Sequence, residues 1–470
     1  MPPHLRLLCL NPRMRPAPSK IPEVRGLPGL GVAPWILRDA PRFVLEQVER
    51  HGTPLRFPMG PLGMTVLSRP EEIRHVLLDR WRDYPRGRAV NLVRPMLGDG
   101  LPMADGEGWL RRRRTLQPAF GQARLEQLVP VLVRVAERHA SRLVPGSRIR
   151  AHDVFMRLTL ETVVEAMFSD ILDEVSPALS GALHDIEHYV GRYALLPFAV
   201  PLGLPTPDNR RFRRAIAVLD AVVYDLIDRR RRRGDVADAT GERDLLGALL
   251  AARDPETGAA LTDRELRDEV LNIFYAGHET TANALTWLTV LLDAHPDVAA
   301  RLRAELAQVL GGRPPSAVDL PRLPYAGAVV RETLRLYPPA WIFARTAAVD
   351  DVISGIAIPA GTVVIISPYV THRLPDLWPD PLRFDPERFI RDPSLGLGGS
   401  KSLAYLPFGA GPHQCIGNQL AVNEVIVALA AILSRFSLRV ERPDLVRPRP
   451  TATLGVAGGL PVRVEAAPAG

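Results

Sequence analysis

Apolar positions recur at helical spacing over most of the chain, while strict alternation is confined to short stretches. The longest helical pattern opens at Thr262-Asp263-Arg264-Glu265, with a hydroxyl and an acid three apart as in a capping box, and closes at His295-Pro296. At 1.5 Å per residue it spans roughly 48 Å. Because it is apolar on most sides between Val270 and Leu292, it has to run through the middle of a core. Shorter helical patterns cover residues 43–49, 124–143, 153–167, 172–190, 324–336 and 419–436, and another begins at Gly108. Strands are expected over 55–59 and 64–68 as a hairpin around Gly60-Pro61-Leu62-Gly63, and over 341–345, 352–358 and 362–367, all in one small sheet. Further strands close the chain around Gly458-Gly459. Residues 81–105 and 194–207 have no helical or strand period and carry several prolines each, so they read as long loops.

Composition narrows this to one large globular domain. No flexible linker divides residues 27–463, and 46% hydrophobic with 24% charged residues is ordinary for a chain with a sizeable core. The domain is expected over 21–470, behind a flexible arm at 1–20. The net charge of +7 is carried by arginines spread along the chain, with Lys20 and Lys401 the only lysines, and no nucleic-acid motif accompanies it. A nucleic-acid partner is therefore not expected. The apolar start at 5–10 is broken by Arg6 and falls far short of the roughly 20 residues of a spanning helix, so a cytoplasmic location is expected. Gly26-Leu27-Pro28-Gly29-Leu30-Gly31 has the glycines of a phosphate loop, but its prolines and the lack of a preceding strand make it a proline-rich entry segment. Two cysteines, Cys9 and Cys415, suffice neither for a disulfide framework nor for an iron–sulfur cluster.

The candidate chemistry lies in two places. In the middle of the long helix, Ala276-Gly277-His278-Glu279-Thr280-Thr281 puts a glycine, an acid and two hydroxyls where a buried helix would prefer apolar residues. Such a local conflict is where function is expected. The second place is Phe408-Gly409-Ala410-Gly411-Pro412-His413-Gln414-Cys415-Ile416-Gly417, a tight loop presenting a cysteine at the mouth of a helix. Backbone N–H groups and the helix N-terminus there are expected to favour a thiolate and lower its basicity. A thiolate on haem iron promotes cleavage of dioxygen.

This loop resembles the haem-binding loop of the cytochrome P450 family, Phe-Gly-x-Gly-x-(Arg/His)-x-Cys-x-Gly, with every fixed position filled. The resemblance runs from Leu27 to Val464 in the family's motif order. It implies a mainly α fold with a small β region, a single cytochrome P450 domain, and haem b as cofactor with Cys415 as axial ligand of the iron. By matching positions, Trp109, Arg113, Arg345 and His413 would bind the haem propionates. Glu279 and Thr280 would form the acid–alcohol pair that delivers protons for oxygen activation, while Glu332, Arg335 and Arg388 would form a structural Glu-Arg-Arg triad. His278 receives no role. The residues at His372-Arg373-Leu374-Pro375 depart from the family, which commonly has Asp before that proline.

The implied reaction inserts one atom of dioxygen into an apolar organic substrate such as a fatty acid or terpenoid. A haem-thiolate isomerase or dehydratase, a peroxygenase and a non-catalytic haem or lipid-binding protein are the alternatives. The loops at 81–105 and 194–207 would cover a pocket lined by Val90, Leu92, Val93, Met96, Leu97, Leu195, Phe198, Trp341, Ile342 and Phe343. Without an iron–sulfur site of its own, the chain would take electrons from a separate carrier, a ferredoxin with its ferredoxin reductase. Arg111 and Arg114, on the helix face opposite Trp109 and Arg113, are the candidates to dock it.

Overall fold

The computed structural model describes residues 19–59, 62–90, 93–168, 177–193, 201–233, 244–395 and 403–467. The long helix forms over Asp263–Ala294, and its N-terminus is closed in both directions as the sequence implied. Thr262 Oγ1 accepts from the Glu265 N–H at 3.3 Å and Glu265 Oε2 accepts from the Thr262 N–H at 2.9 Å. It crosses the core shared by the helices Gln122–Ser141, Pro296–Leu310, Pro324–Leu336 and Asn418–Leu433. A second apolar cluster joins it to the helices Ala151–Phe168, Pro177–Tyr193 and Pro207–Arg233.

Gly277 has a packing reason as well as any functional one. A Cβ there would meet Val163 Cγ2 at 2.6 Å, so the glycine lets the long helix press against Ala151–Phe168.

The β region sits to one side, with Ala33–His51 packed on a four-stranded sheet. In it Leu55–Met59 pairs antiparallel with Leu62–Leu67, which runs parallel to Val363–Ile366, and Phe343–Thr346 closes the other edge. The segment 352–358 does not join this sheet, contrary to expectation. Ser354 and Gly355 have φ of 51° and 79°, which folds Asp351–Ile353 back on Ile356–Ile358 as a separate hairpin.

The helices Pro207–Arg233 and Pro296–Leu310 were not read as elements from the periodicity. Most of the loop at 194–207, Cys9, and the arm as far as Pro18 lie outside the described residues. Ser19 is bonded to the small hairpin, with its N–H donating to the Gly355 carbonyl at 3.0 Å. Among the described residues no helix is long and apolar enough to cross a membrane.

Candidate functional site

The cysteine loop and the middle of the long helix face each other across a cavity of about 460 Å³. The loop reaches it through a close backbone approach. Gly411 has φ of 71°, and a Cβ there would strike the Leu77 carbonyl oxygen at 2.1 Å. The Cys415 N–H then donates to the Phe408 carbonyl at 2.9 Å, which closes the loop and turns the side chain toward the cavity.

Cys415 is exposed by surface area yet surrounded by protein, because what it is exposed to is the cavity. Burial accordingly pushes the free thiol up, and this outweighs the Gly417 N–H and Arg113, which pull it down. The expected lowering of its basicity is thus reversed for the free thiol, although both local groups act in the expected direction. Metal binding removes the proton outright. Among the described residues no group of three His, Cys, Asp or Glu could hold a bare metal ion.

Beside the thiol lies a cluster of cations with too few anions. Arg113, one turn beyond Trp109, donates through Nη1 to the Gln414 carbonyl at 2.9 Å and so ties its helix to the cysteine loop. Arg345 comes from the sheet edge and is buried, while Arg86 comes from the loop before Gly87. Burial lowers all three guanidinium pKa values, Arg86 to about 9 and Arg345 to about 10, and Asp105 is the acid that partly offsets this for both. They stay charged at neutral pH.

His413 Nδ1 lies 2.9 Å from Arg86 Nη2. A guanidinium only donates, so Nδ1 accepts and the imidazole proton is on Nε2. Burial and the arginines lower His413 to about 3, so it is neutral. Its ring packs 4.1 Å from that of Trp109. Trp109 Nε1 and Arg86 Nε are buried without partners. Three cations and two orphaned donors lining one wall suit a ligand with two carboxylates, which haem b has. Trp109, Arg113, Arg345 and His413 are therefore assembled together, and Arg86 joins them although the sequence reading passed it over.

Across the cavity, Thr280 lines the wall and donates Oγ1–H to the Ala276 carbonyl at 2.7 Å. Glu279 turns away, accepting from Thr453 Oγ1 at 2.6 Å, and Thr453 in turn accepts from Asn283 Nδ2 at 3.0 Å. Burial, reinforced by Glu187, raises the Glu279 pKa. His278 also faces away from the cavity. Nε2 meets Glu187 Oε1 at 2.9 Å and Nδ1 meets the Phe274 carbonyl at 2.9 Å. Burial lowers its pKa, but Glu187 and that carbonyl together outweigh burial and raise it.

Behind the cysteine loop, Glu332 and Arg335 are fully buried in a two-bond pair of 2.7 and 2.8 Å. Arg388 Nε stands 3.4 Å from Glu332 Oε1. His372, from the segment that departs from the family, links this lock to the loop. Its Nε2 accepts from the Leu406 N–H at 2.9 Å, so Nδ1 donates to the Arg335 carbonyl at 3.0 Å.

Two expectations are corrected. Arg111 and Arg114 do not form a free basic rim: Arg111 is bonded to Glu265 and Arg114 to Glu256 at 2.5 Å. Of the apolar residues expected around a substrate, Phe343 lines the cavity, whereas Trp341 is buried in the sheet core and bonded to the Thr451 carbonyl at 3.0 Å. Leu92, Leu195 and Phe198 lie outside the described residues.

A family model described as Cytochrome P450 matches residues 21–458. The chain is similar to cyclooctatin synthase of Streptomyces melanosporofaciens, at 36% identity over 91% of this chain and 92% of that one. It is equally similar to cyclooctat-9-en-7-ol 5-monooxygenase of the same organism, at 36% over 92% and 93%. Pentalenene oxygenase of Streptomyces avermitilis is 34% identical over 89% and 92%.

Proposed function

Because the chain belongs to the cytochrome P450 family, an oxidoreductase with haem b as cofactor, we propose that its substrate is a cyclic terpenoid and assign its site residues accordingly. The observation that carries the substrate reading is the set of relatives named for terpenoid oxidation, matched over nearly their whole length. The mostly apolar cavity agrees with it. As a monooxygenase the protein turns a C–H bond, dioxygen, two electrons and two protons into an alcohol and water, with electrons from a redox partner. In the proposed reading that partner is a ferredoxin with its reductase, in the cytoplasm.

Haem would supply the oxygen-activating iron, and in this reading Cys415 is the residue that would hold it. Arg86, Arg113 and Arg345 would neutralise its carboxylates, which are costly to bury unpaired, and the uncharged Trp109 and His413 would donate hydrogen bonds to them. Leu101, Val163, Ile273 and Ala276 line the apolar wall that excludes water. A dry wall supplies no protons, and in this reading Thr280, which lines the cavity, and Glu279, held by Thr453, form the acid–alcohol pair that would deliver them. Glu332, Arg335 and Arg388 are structural and fix the coil behind the loop.

The test supplies the haem-loaded protein with a ferredoxin, its reductase and NADPH, and screens cyclic terpenes for products one oxygen heavier. Thr280→Ala is expected to lower product per electron by about tenfold or more, with the balance appearing as peroxide. Turnover of fatty acids alone would overturn the terpenoid reading. An unchanged yield per electron would remove Thr280 from proton delivery.

A further inference from the structure

Asn272 stands two turns before Thr280 on the long helix, with 3% of its surface exposed, and it lines the same cavity. Its Nδ2 donates twice, to the Leu97 carbonyl at 2.7 Å and to the Asp268 carbonyl at 2.6 Å. Carbonyls only accept, so these two bonds fix which way the amide points. The amide is also wedged against the loop backbone, since a Cβ on Gly100 would lie 2.1 Å from Nδ2. What remains is Oδ1, a buried acceptor without a partner. Orphaned buried acceptors are uncommon and call for an explanation.

Neighbouring groups do not supply a donor. Glu269, one turn earlier on the cavity face, uses its oxygens to accept from the Leu101 N–H at 3.0 Å and from Arg112 Nη1 at 2.9 Å. Burial raises its pKa to about 7 against those two bonds, so it is not a fixed negative charge beside Asn272. Oδ1 can only accept, so the site takes an O–H or N–H donor.

We propose that Asn272 Oδ1 accepts a hydrogen bond from a hydroxyl on the substrate, so that the cavity takes a cyclic terpenoid that is already an alcohol. The proposal rests on the terpenoid reading above only for the class of the apolar skeleton. Eight residues along the helix separate Asn272 from Thr280, a rise of about 12 Å. The anchored hydroxyl therefore sits at the far end of the molecule from the C–H bond being oxidised. The reaction that supplies this substrate must leave a hydroxyl on the ring system, by oxygenation or by water capture.

The test measures dissociation constants from the haem absorbance shift of the haem-loaded protein, for matched hydrocarbon, alcohol and ketone in terpene, steroid and macrocyclic series. In at least one series an alcohol is expected to bind about tenfold tighter than both its hydrocarbon and its ketone, which has no donor. Asn272→Leu is expected to bring that ratio to about one. The proposal is overturned if no alcohol in any series shows the preference, if ketones gain as much as alcohols, or if the preference survives in Asn272→Leu. Should the variant fail to hold haem, the alcohol and ketone comparison on the parent protein decides alone. A preference seen with steroid alcohols and not with terpenes would leave the anchor standing and sink the terpenoid skeleton.

Discussion

Nothing in Pro85-Arg86-Gly87-Arg88 distinguishes Arg86 from a solvated loop arginine. Its place is set by Gly87, which has φ of 62° and lies so close to Thr346 that a Cβ would meet Oγ1 at 2.2 Å. That contact brings the loop against the sheet edge carrying Arg345. That Trp109 and Arg113 share a helix face was legible from their spacing of four, while their place at a cofactor was only what the family resemblance implied. Cys415 was legible from its glycines, but the sign of its pKa shift was not, because burial depends on the walls of a cavity that no local pattern describes. In the proposed reading Arg86 holds a carboxylate of haem, and Arg86→Gln would then remove a charged hydrogen bond worth about 1.5–3 kcal/mol. Haem transfer to an acceptor apoprotein is expected to become roughly ten- to a hundredfold faster, by the same conversion. An unchanged transfer rate would take Arg86 out of the cofactor site.

Among whole elements, the long helix was the most legible, with its start read from Thr262 and Glu265 and its end from Pro296. The hairpin at 351–358 was misread because Gly355 looked like an interruption within one strand. Only the positive φ at both Ser354 and Gly355 shows that the strand reverses. The helix Pro324–Leu336 was found with its bounds, and the depth of its Glu332–Arg335 pair came from the family resemblance, since the same spacing is routine on surface helices. What the spacing could not show is how many backbone groups the pair organises. Arg335 donates to the carbonyls of His372 at 2.8 Å and Pro381 at 2.7 Å, and Glu332 accepts from the Asp385 N–H at 2.9 Å. Glu332→Gln leaves the Arg335 charge buried and uncompensated, at an expected cost of about 3–5 kcal/mol. The check is the denaturant midpoint together with the haem content. A variant with the parent's stability and haem content would mean that the coil behind the cysteine loop is held by other contacts.

At the scale of the whole molecule, Arg86, Trp109, Arg345 and His413 come from four separate stretches, and the fold brings them to one wall of one cavity. Periodicity fixes elements but carries no information on such long-range meetings, so the family resemblance supplied the partners and the structure supplied the neighbours. The same scale removes Arg111 and Arg114 from the docking surface as free charges, since Glu265 and Glu256 approach them from distant parts of the chain. Everything about the site nevertheless converges on the Cys415 sulfur facing that wall. The direct measurement is the absorbance spectrum of the reduced, haem-loaded protein under carbon monoxide, for the parent and for Cys415→His. The parent is expected to show the strongly red-shifted band of a thiolate-ligated haem and the variant to lose it. A parent without that band, or a Cys415→His protein that keeps it, would contradict the assignment of Cys415 as the axial ligand.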